Sequence, residues 1–189
     1  MLPDEPRPVR LMNTIRADRS GLHDDLSSVD GLVAWLGGDG DVGGDGDVDD
    51  RTLQAFHSLR LALRDLAGVV TEDTRAISAA RDLPRAVAEV NSAVRRAARW
   101  PQLDVVGDDL VRRTASAAPD AVRVLAATAA EAVELFGGER RALLRACYAP
   151  GCVLYFVKDH PRREWCSPAC GNRVRAARHY RRVTSRDAG

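Results

Sequence analysis

The only four cysteines of this 189-residue chain fall into two close pairs. Cys147 and Cys152 form the first pair, Cys166 and Cys170 form the second, and thirteen residues separate the pairs. This spacing is typical of a structural zinc site, in which each pair supplies two thiolates and the segment between them folds back to complete a tetrahedron. Because all four positions are filled by sulfur, no coordination position remains for water or a substrate. The cysteines therefore predict a closed zinc site.

Two disulfides are the alternative interpretation of four cysteines. Disulfides occur mainly in secreted proteins, and residues 1–7 contain prolines and acids without the apolar stretch of a secretory signal. We therefore expect a cytoplasmic protein with reduced thiols, in which paired cysteines bind zinc. No apolar stretch reaches the length of a membrane span, so we expect no membrane association.

The residues between and after the pairs predict a small fold around the metal. An apolar, β-prone run covers residues 153–157, a break follows at 159–161, and residues 162–165 lead back, which is typical of a β-hairpin. Ser167 is a good N-cap and Pro168 suits the first helical position, so a helix should begin at the second pair. The predicted order is knuckle, hairpin, knuckle and helix, which is a treble-clef-like arrangement.

The string WCSPACGNR at residues 165–173 resembles the signature of the CGNR zinc-finger family. Proteins of that family are bacterial, carry this module behind a mostly helical ABATE domain, and are regarded as stress-responsive transcription regulators. Softer similarity covers LMNT at 11–14 and LVAWL at 32–36. Many members have one more residue between the last two cysteines, and the shorter spacing here fits a helical turn equally well. The resemblance implies an ABATE-like helical domain over residues 1–140 and a CGNR-type zinc-finger module over residues 141–189.

The N-terminal domain is predicted to be mainly α-helical, with one small β-hairpin. Apolar residues recur at three- and four-residue steps over residues 51–68, which is the strongest helical pattern of the chain. Four further helices are expected: from the N-caps at 27–30 through Leu36, at 71–80, from Leu83 to the residues before Trp100, and over 121–136. Short β-prone pieces around a Gly-Asp-Asp turn at 107–109 predict the hairpin. Trp100 is expected in the core.

Residues 37–48 contain the hexapeptide GGDGDV twice in succession. Calcium-binding loops need carboxylates at fixed positions, and neither the EF-hand pattern nor the nonapeptide calcium repeat fits this stretch; Val42, for example, stands where the nonapeptide repeat has Asp. We therefore predict a flexible acidic loop over residues 37–50.

Charge is divided unevenly along the chain. The net charge is +1, but residues 147–189 contain nine basic residues and three acids, which gives this segment +6 and the remainder −5. Lys158 is the only lysine, and the composition is typical of a GC-rich bacterial genome, so the abundance of arginine alone says little. The separation of arginine from acids is informative, because a basic tail on an acidic body indicates a polyanionic partner for the tail.

On a helix from Pro168 to about Thr184, most basic side chains fall on one side, and no acid occurs from 171 to 186. We predict that this outward side, together with basic residues of the linking segment, contacts the phosphates of nucleic acid, DNA in preference to RNA. The predicted contact residues are Lys158, Arg162, Arg163, Arg175, Arg178, His179, Arg181 and Arg182.

The other side of this helix carries Val174, Ala176, Ala177 and Tyr180, and Arg173 falls among them. We predict that Arg173 supports the module from within, since its five donors can satisfy carbonyl groups of the knuckles or hairpin. Trp165 and Asn172, which flank the last cysteine pair, are assigned the same structural role.

No catalytic constellation stands out. A phosphate-binding glycine loop, a serine nucleophile elbow and an HExxH helix are all missing, so we predict no enzymatic activity. We interpret the chain as a bacterial, zinc-containing, DNA-binding transcription regulator, whose N-terminal domain senses a small-molecule effector or forms a homodimer. The alternatives are a zinc-stabilised module that binds an acidic protein partner and a module that binds RNA.

Overall fold

The computed structural model describes residues 5–38, 48–78 and 81–187. Residues 39–47, the middle of the predicted acidic loop, lie outside this description. The helices of the described part are α1 (Arg7–Met12), α2 (Val29–Gly37), α3 (Asp50–Val70), α4 (Leu83–Arg95), α5 (Asp120–Gly137) and α6 (Pro168–Asp187), with short 3-10 helices at Ala76–Ser78 and Glu139–Leu143. The strands are β1 (Ile15–Asp18), β2 (Gly21–Asp24), β3 (Trp100–Val106), β4 (Asp109–Ala115), β5 (Leu144–Ala146) and β6 (Tyr155–Val157).

The mainly helical fold predicted from the sequence is confirmed, and α3 lies at its centre. The side chain of Asp49 caps this helix by accepting a hydrogen bond from the Thr52 N–H group at 2.7 Å. The apolar positions of the predicted pattern, including Phe56, Leu59 and Leu63, are fully buried. Helices α1, α4 and α5 all pack against α3, so its apolar side organises the core of the body. Within the described residues, no helix is both long and apolar enough to cross a membrane.

Two elements of the body differ from the sequence prediction. The helix expected at 71–80 is reduced to the single 3-10 turn Ala76–Ser78, because the Asp73 carboxylate is buried and bonded to Arg75 and Tyr155 instead of capping a helix. Residues 15–24 form the antiparallel hairpin β1–β2, which sequence patterns did not indicate.

The hairpin predicted near residues 107–109 is present as β3 and β4. These strands pair in register from Trp100 opposite Ala115 to Val106 opposite Asp109, around a turn in which Gly107 has a φ of 63°. The expectation that Trp100 lies in the core is wrong, because the residue is 44% exposed. The hairpin extends from the body, and most of its side chains are exposed.

The C-terminal module packs directly on the helical body. Leu144, Ala146, Tyr155 and Val157 belong to the same buried cluster as the apolar residues of α1, α3 and α5. A hairpin is present, but its strands are β5 and β6, so it encloses the first cysteine pair. The predicted return strand at 162–165 is not formed. This pairing places the first knuckle at the end of a hairpin that is anchored in the core.

Candidate metal centre

The four cysteine sulfur atoms converge on one point. All four residues are buried, and their Sγ atoms lie within 4.8 Å of one another. The Sγ atoms of Cys152 and Cys166 are 3.8 Å apart, and those of Cys166 and Cys170 are 3.3 Å apart. A tetrahedron of sulfur atoms around zinc, with Zn–S bonds of about 2.3 Å, has edges of about 3.8 Å. The cluster therefore has the donor set and size of a closed tetrahedral zinc site.

Local backbone structure positions the first pair. The Cys147 N–H group donates to the Leu154 carbonyl at 3.0 Å, directly beyond the β5–β6 ladder, and the Cys152 N–H group donates to the Ala149 carbonyl at 2.9 Å. Gly151 has a φ of 71°, a left-handed conformation that favours glycine over other residues. These bonds close a tight turn that points both thiols to the same side.

The second pair lies at the start of α6, as the sequence predicts. The Ser167 hydroxyl accepts a hydrogen bond from the Cys170 N–H group at 3.3 Å, and the Ser167 carbonyl accepts one from Gly171 at 3.2 Å. Pro168 is the first residue of the helix. Cys170 therefore sits in the first helical turn, where the partial positive charge of the helix N-terminus favours a thiolate.

The pKa shifts of three of the thiols also fit a cation at the centre of the cluster. Hydrogen bonds with Cys152 and Cys166 lower the pKa of Cys147, whereas the same contacts raise the pKa of Cys152 to about 12 and also raise that of Cys166. A buried cluster in which the thiols oppose one another's ionisation is stabilised when one divalent cation binds them all as thiolates.

Arg173 contacts the metal cluster, but its partner is a cysteine sulfur atom instead of the predicted backbone carbonyl groups. Its Nη2 donates to the Cys170 Sγ at 2.9 Å, and this hydrogen bond raises the pKa of the guanidinium. The positive charge of Arg173, placed next to a thiolate, offsets part of the negative charge that four sulfur ligands bring to the site.

Asn172 accepts a hydrogen bond from Arg175, and Trp165 lies close to Gly171. A Cβ at Gly171 would approach the Trp165 ring to 3.2 Å, so the packing between these two residues is close.

Arg75 fastens the first knuckle to the helical body, a role that sequence reasoning missed. Its Nη1 lies 3.2 Å from the carbonyl oxygens of Cys147, Cys152 and Leu154, and its other nitrogens form a bidentate pair with the buried Asp73 carboxylate. Asp73 also accepts the Tyr155 hydroxyl at 2.8 Å. No periodicity or spacing marks this role, because the knuckle carbonyls and Tyr155 lie more than seventy positions away from Arg75 and Asp73.

Arg163 forms a second connection of this kind, which differs from its predicted role in nucleic-acid binding. Its guanidinium pairs with the buried Glu5 carboxylate, donates to the Val157 carbonyl at 3.0 Å and lies 5.1 Å from the centre of the Phe156 ring. The other Glu5 oxygen accepts the Val157 N–H group at 2.9 Å, and burial raises the Glu5 pKa. The guanidinium is thus engaged in holding the module on the N-terminal residues.

The remaining predicted contact residues lie on accessible surface. Lys158 is half-buried, and the other six are exposed: Arg162, Arg175, Arg178, His179, Arg181 and Arg182. Val174 of α6 is buried against the module, whereas Tyr180, about 120° further around the helix axis, is 70% exposed. The second half of the helix, as far as Thr184, is therefore solvated on all sides.

Comparison with known proteins agrees with this architecture. Residues 5–139 match the ABATE family, described as "putative stress-induced transcription regulator", and residues 143–183 match the CGNR zinc finger. A search of curated proteins finds no significant match. The two matches confirm the resemblance seen in the sequence, and together with the converging thiols they identify zinc as the metal of the site.

Proposed function

We propose, because this chain belongs to the ABATE family and carries a C-terminal CGNR zinc finger, that it is a bacterial transcription regulator that binds DNA through α6. Zinc supplies structure: it holds the two knuckles together and thereby fixes the start of the helix. Because all four positions around the metal are sulfur, none is open for water activation, which supports the further proposal that the protein is not an enzyme. Buried, unbridged thiols support a cytoplasmic location.

The observation that supports this proposal most directly is the exposure and the basic charge of α6 beyond the zinc site. From Arg178 to Thr184 every residue is exposed, and the sequence from 171 to 186 contains no acid. A solvated, basic helix on a rigid base can enter the major groove of B-DNA, which is wide enough for an α-helix. The major groove of A-form RNA is too deep and narrow for this mode, which favours DNA over RNA.

The structure narrows the set of proposed contacts. The segment between the knuckles provides Lys158 and Arg162. The helix provides Arg175, Arg178, His179, Arg181 and Arg182. We leave Arg163 out of this set, because its guanidinium is paired with the buried Glu5 carboxylate. Moving it to a phosphate would leave that carboxylate buried without its cation.

Replacing Arg175, Arg178 and Arg182 together by glutamine should weaken DNA binding and flatten its salt dependence. Each lost phosphate contact lowers the slope of log K against log salt by about 0.9, so three contacts correspond to about 2.7. Fluorescence anisotropy with a duplex of mixed sequence, titrated at several salt concentrations, measures both quantities. Zinc content should stay at one per chain, because these side chains are not ligands.

The matched control replaces Arg85, Arg140 and Arg141 by glutamine. All three are exposed; Arg85 and Arg140 lie on the helical body and Arg141 at its junction with the module, so the net charge changes by the same amount while α6 stays intact. The control should bind DNA like the wild type. If the α6 variant binds both DNA and RNA as tightly as the control, or the intact protein binds neither at low salt, the regulator proposal loses its physical basis.

A protein-interaction function is favoured by one specific observation. Tyr180 is an exposed apolar residue on the side of α6 away from Arg178 and Arg182, and the exposed Val183 lies between Tyr180 and His179 around the helix. An acidic protein could contact both sides of such a helix, with apolar packing on one and ion pairing on the other. Loss of a protein partner on Tyr180→Ser, with DNA binding unchanged, would identify this alternative as the function.

The β3–β4 hairpin supports the proposal that the N-terminal domain forms a homodimer. Leu103, Val105 and Leu110 lie on one face of the hairpin and are between 64% and 71% exposed. A two-stranded hairpin with an uncovered apolar face is marginal alone, and contact with a second copy would bury that face. A dimer also matches the two-fold symmetry of many operators.

Replacing Leu103 and Leu110 by asparagine should therefore shift the protein from dimer to monomer. Light scattering after size exclusion, over a range of protein concentrations, should show the dissociation constant rising at least about tenfold, since two apolar side chains leave the interface. Arg113→Ala, on the opposite face of the hairpin, should leave the dimer intact. A wild type that is monomeric at high concentration would contradict the proposal.

A further inference from the structure

A cleft of about 600 Å³ opens on the helical body between the β1–β2 hairpin, α3 and the 3-10 turn Ala76–Ser78. This volume is within the range of small-molecule sites in proteins. Its rim is apolar and exposed, with Leu22, Leu61 and Ile77 accessible to solvent. Its wall carries the cationic side chains of Arg60 and Arg64, so the cleft combines an apolar entrance with a charged interior.

Arg64 is a buried cation of this wall without a carboxylate partner. Only 6% of the residue is exposed, and its Nη1 and Nη2 donate to the carbonyl oxygens of Met12 at 2.9 Å and Val153 at 3.2 Å. Within the part of the chain that the structure describes, no carboxylate lies within 4 Å of this guanidinium. Burial lowers the pKa of this guanidinium, and the nearby Tyr155 and Asp73 oppose the shift. A buried guanidinium in a cleft is well suited to pair with a planar anion from solution.

The other charged groups of the cleft have partners within the chain. Both Asp24 oxygens accept hydrogen bonds from Arg60, which also donates to the Thr14 hydroxyl at 2.9 Å. Burial raises the pKa of Asp65, which also lines the cleft, and the charges of Arg85 and Arg81 oppose this shift. His57 lies in the same wall, with its Nε2 2.7 Å from the Leu26 carbonyl oxygen. Arg64 is therefore the group of this cleft whose charge a ligand would complement.

We propose that the cleft binds a small monocarboxylic acid with an apolar body. The carboxylate pairs with Arg64, and the apolar body packs against Leu22, Leu61 and Ile77. The carboxylate of such a ligand matches the charged interior of the cleft, and its apolar chain matches the rim. Inorganic phosphate would pair with Arg64 but would leave the apolar rim exposed to solvent.

The same residues connect the cleft to the zinc module. Arg64 donates to the carbonyl of Val153, the residue that follows the zinc ligand Cys152. Ala76, in the cleft wall, follows Arg75, which holds three carbonyl groups of the first knuckle. A bound carboxylate fixes Arg64 in place and thereby stabilises the knuckle. The inference that this coupling regulates transcription rests on the proposed function, whereas the binding of the acid is independent of that function.

Titration of the full-length, zinc-loaded protein with hexanoate, hexan-1-ol and inorganic phosphate tests the site. Hexanoate should bind with a dissociation constant of about 1 mM, as expected for a ligand of this size. Hexan-1-ol and phosphate should each bind at least tenfold more weakly. Chemical-shift changes in the amide spectrum should centre on α3 and the β1–β2 hairpin. Absence of hexanoate binding, or equal binding of the alcohol, overturns the proposal.

Two substitutions in the cleft, Leu61→Glu and Arg64→Lys, and one control outside it, Leu83→Glu, locate the site. Leu61→Glu places a negative charge on the exposed rim and should weaken hexanoate binding at least tenfold, whereas Leu83→Glu, at a similarly exposed leucine outside the cleft, should not. Arg64→Lys keeps the charge but not the planar donor pair, and should weaken binding as well. Equal affinity of the Leu61→Glu and Leu83→Glu variants overturns the placement in this cleft.

The rate at which zinc passes to a coloured chelator tests the coupling. Saturating hexanoate should slow the transfer at least twofold in the wild type and leave the rate unchanged in the Leu61→Glu variant. An unchanged wild-type rate overturns the coupling. Neither measurement involves DNA, so failure of DNA binding alone would contradict the regulator proposal and not this site.

Discussion

Replacement of Cys166 by serine should abolish zinc binding and unfold the C-terminal module. Structural zinc contributes about 10–16 kcal/mol of apparent binding free energy in small zinc domains, which is comparable to or larger than the whole stability of an ordinary domain. The buried cluster around the metal is small: besides the four cysteines it contains Ala149, Phe156 and Val174. So few apolar side chains cannot hold two knuckles and the start of α6 without the metal.

Elemental analysis should find one zinc per wild-type chain and less than a tenth of that in the variant, and circular dichroism should show the loss of the α6 helix. Ser167→Ala is the matched control. It removes the N-cap hydroxyl next to the same cysteine, costs about 1 kcal/mol, and keeps the metal. A Cys166→Ser protein that keeps stoichiometric zinc and the wild-type melting curve would contradict the role of this thiolate.

The body should respond differently from the module, because it is anchored by its own core. The apolar sides of α1, α3, α4 and α5 are buried against one another, and the module adds Leu144, Ala146, Tyr155 and Val157 to that core. Loss of zinc should therefore loosen one edge of the core while the helices of the body remain folded.

The zinc ligands and the main helices were predictable because their signals are local. Pairs of cysteines separated by four and three residues restrict the chain to tight turns, and the apolar repeat of residues 51–68 fits one side of a helix. The β3–β4 hairpin was equally accessible, since β-prone residues flank a turn that contains Gly107. In each case the residues that determine the element lie within it.

The remaining features were not predictable, because their partners are distant in sequence. The run that became β6 carries a strand signal, but nothing local says whether it pairs with residues before the first knuckle or after the break at 159–161. Burial of Tyr155 and Val157 against the body selects β5. Asp73 carries the signal of a helix cap, and its carboxylate is used by Tyr155, 82 positions away. Arg163 similarly pairs with Glu5 across 158 positions.

These long-range polar contacts lie where the module meets the body. Asn13 donates to the Tyr155 carbonyl at 2.8 Å and accepts the Tyr155 N–H group at 2.9 Å, and the Glu5–Arg163 pair lies at the other end of β6. Together with Arg75 they fix the orientation of the zinc module on the body, and through it the direction in which α6 extends. A regulator that is to transmit a signal between its domains requires such a defined connection.

Replacing Arg75 by methionine tests that connection. After the loss of a zinc ligand, this substitution has the largest expected effect on stability. The change removes the donor that lies 3.2 Å from three knuckle carbonyls, and it takes the Arg75 guanidinium away from the fully buried Asp73 carboxylate. Loss of one partner of a buried ion pair costs about 3–5 kcal/mol. Denaturant unfolding of the zinc-loaded protein, at a fixed concentration of free zinc, should show a loss of this size.

A double-mutant cycle separates the ion pair from the contacts with the knuckle. In Asp73→Asn with Arg75→Met, the carboxylate that has lost its Arg75 partner is gone, so the double variant should be more stable than Arg75→Met alone. The knuckle carbonyls still lack their donor in both variants, so zinc should pass to a chelator faster in both than in the wild type. If Arg75→Met unfolds at the wild-type denaturant concentration and releases zinc at the wild-type rate, Arg75 does not fasten the knuckle. The orientation of α6 would then depend on Asn13, Glu5 and the shared apolar core.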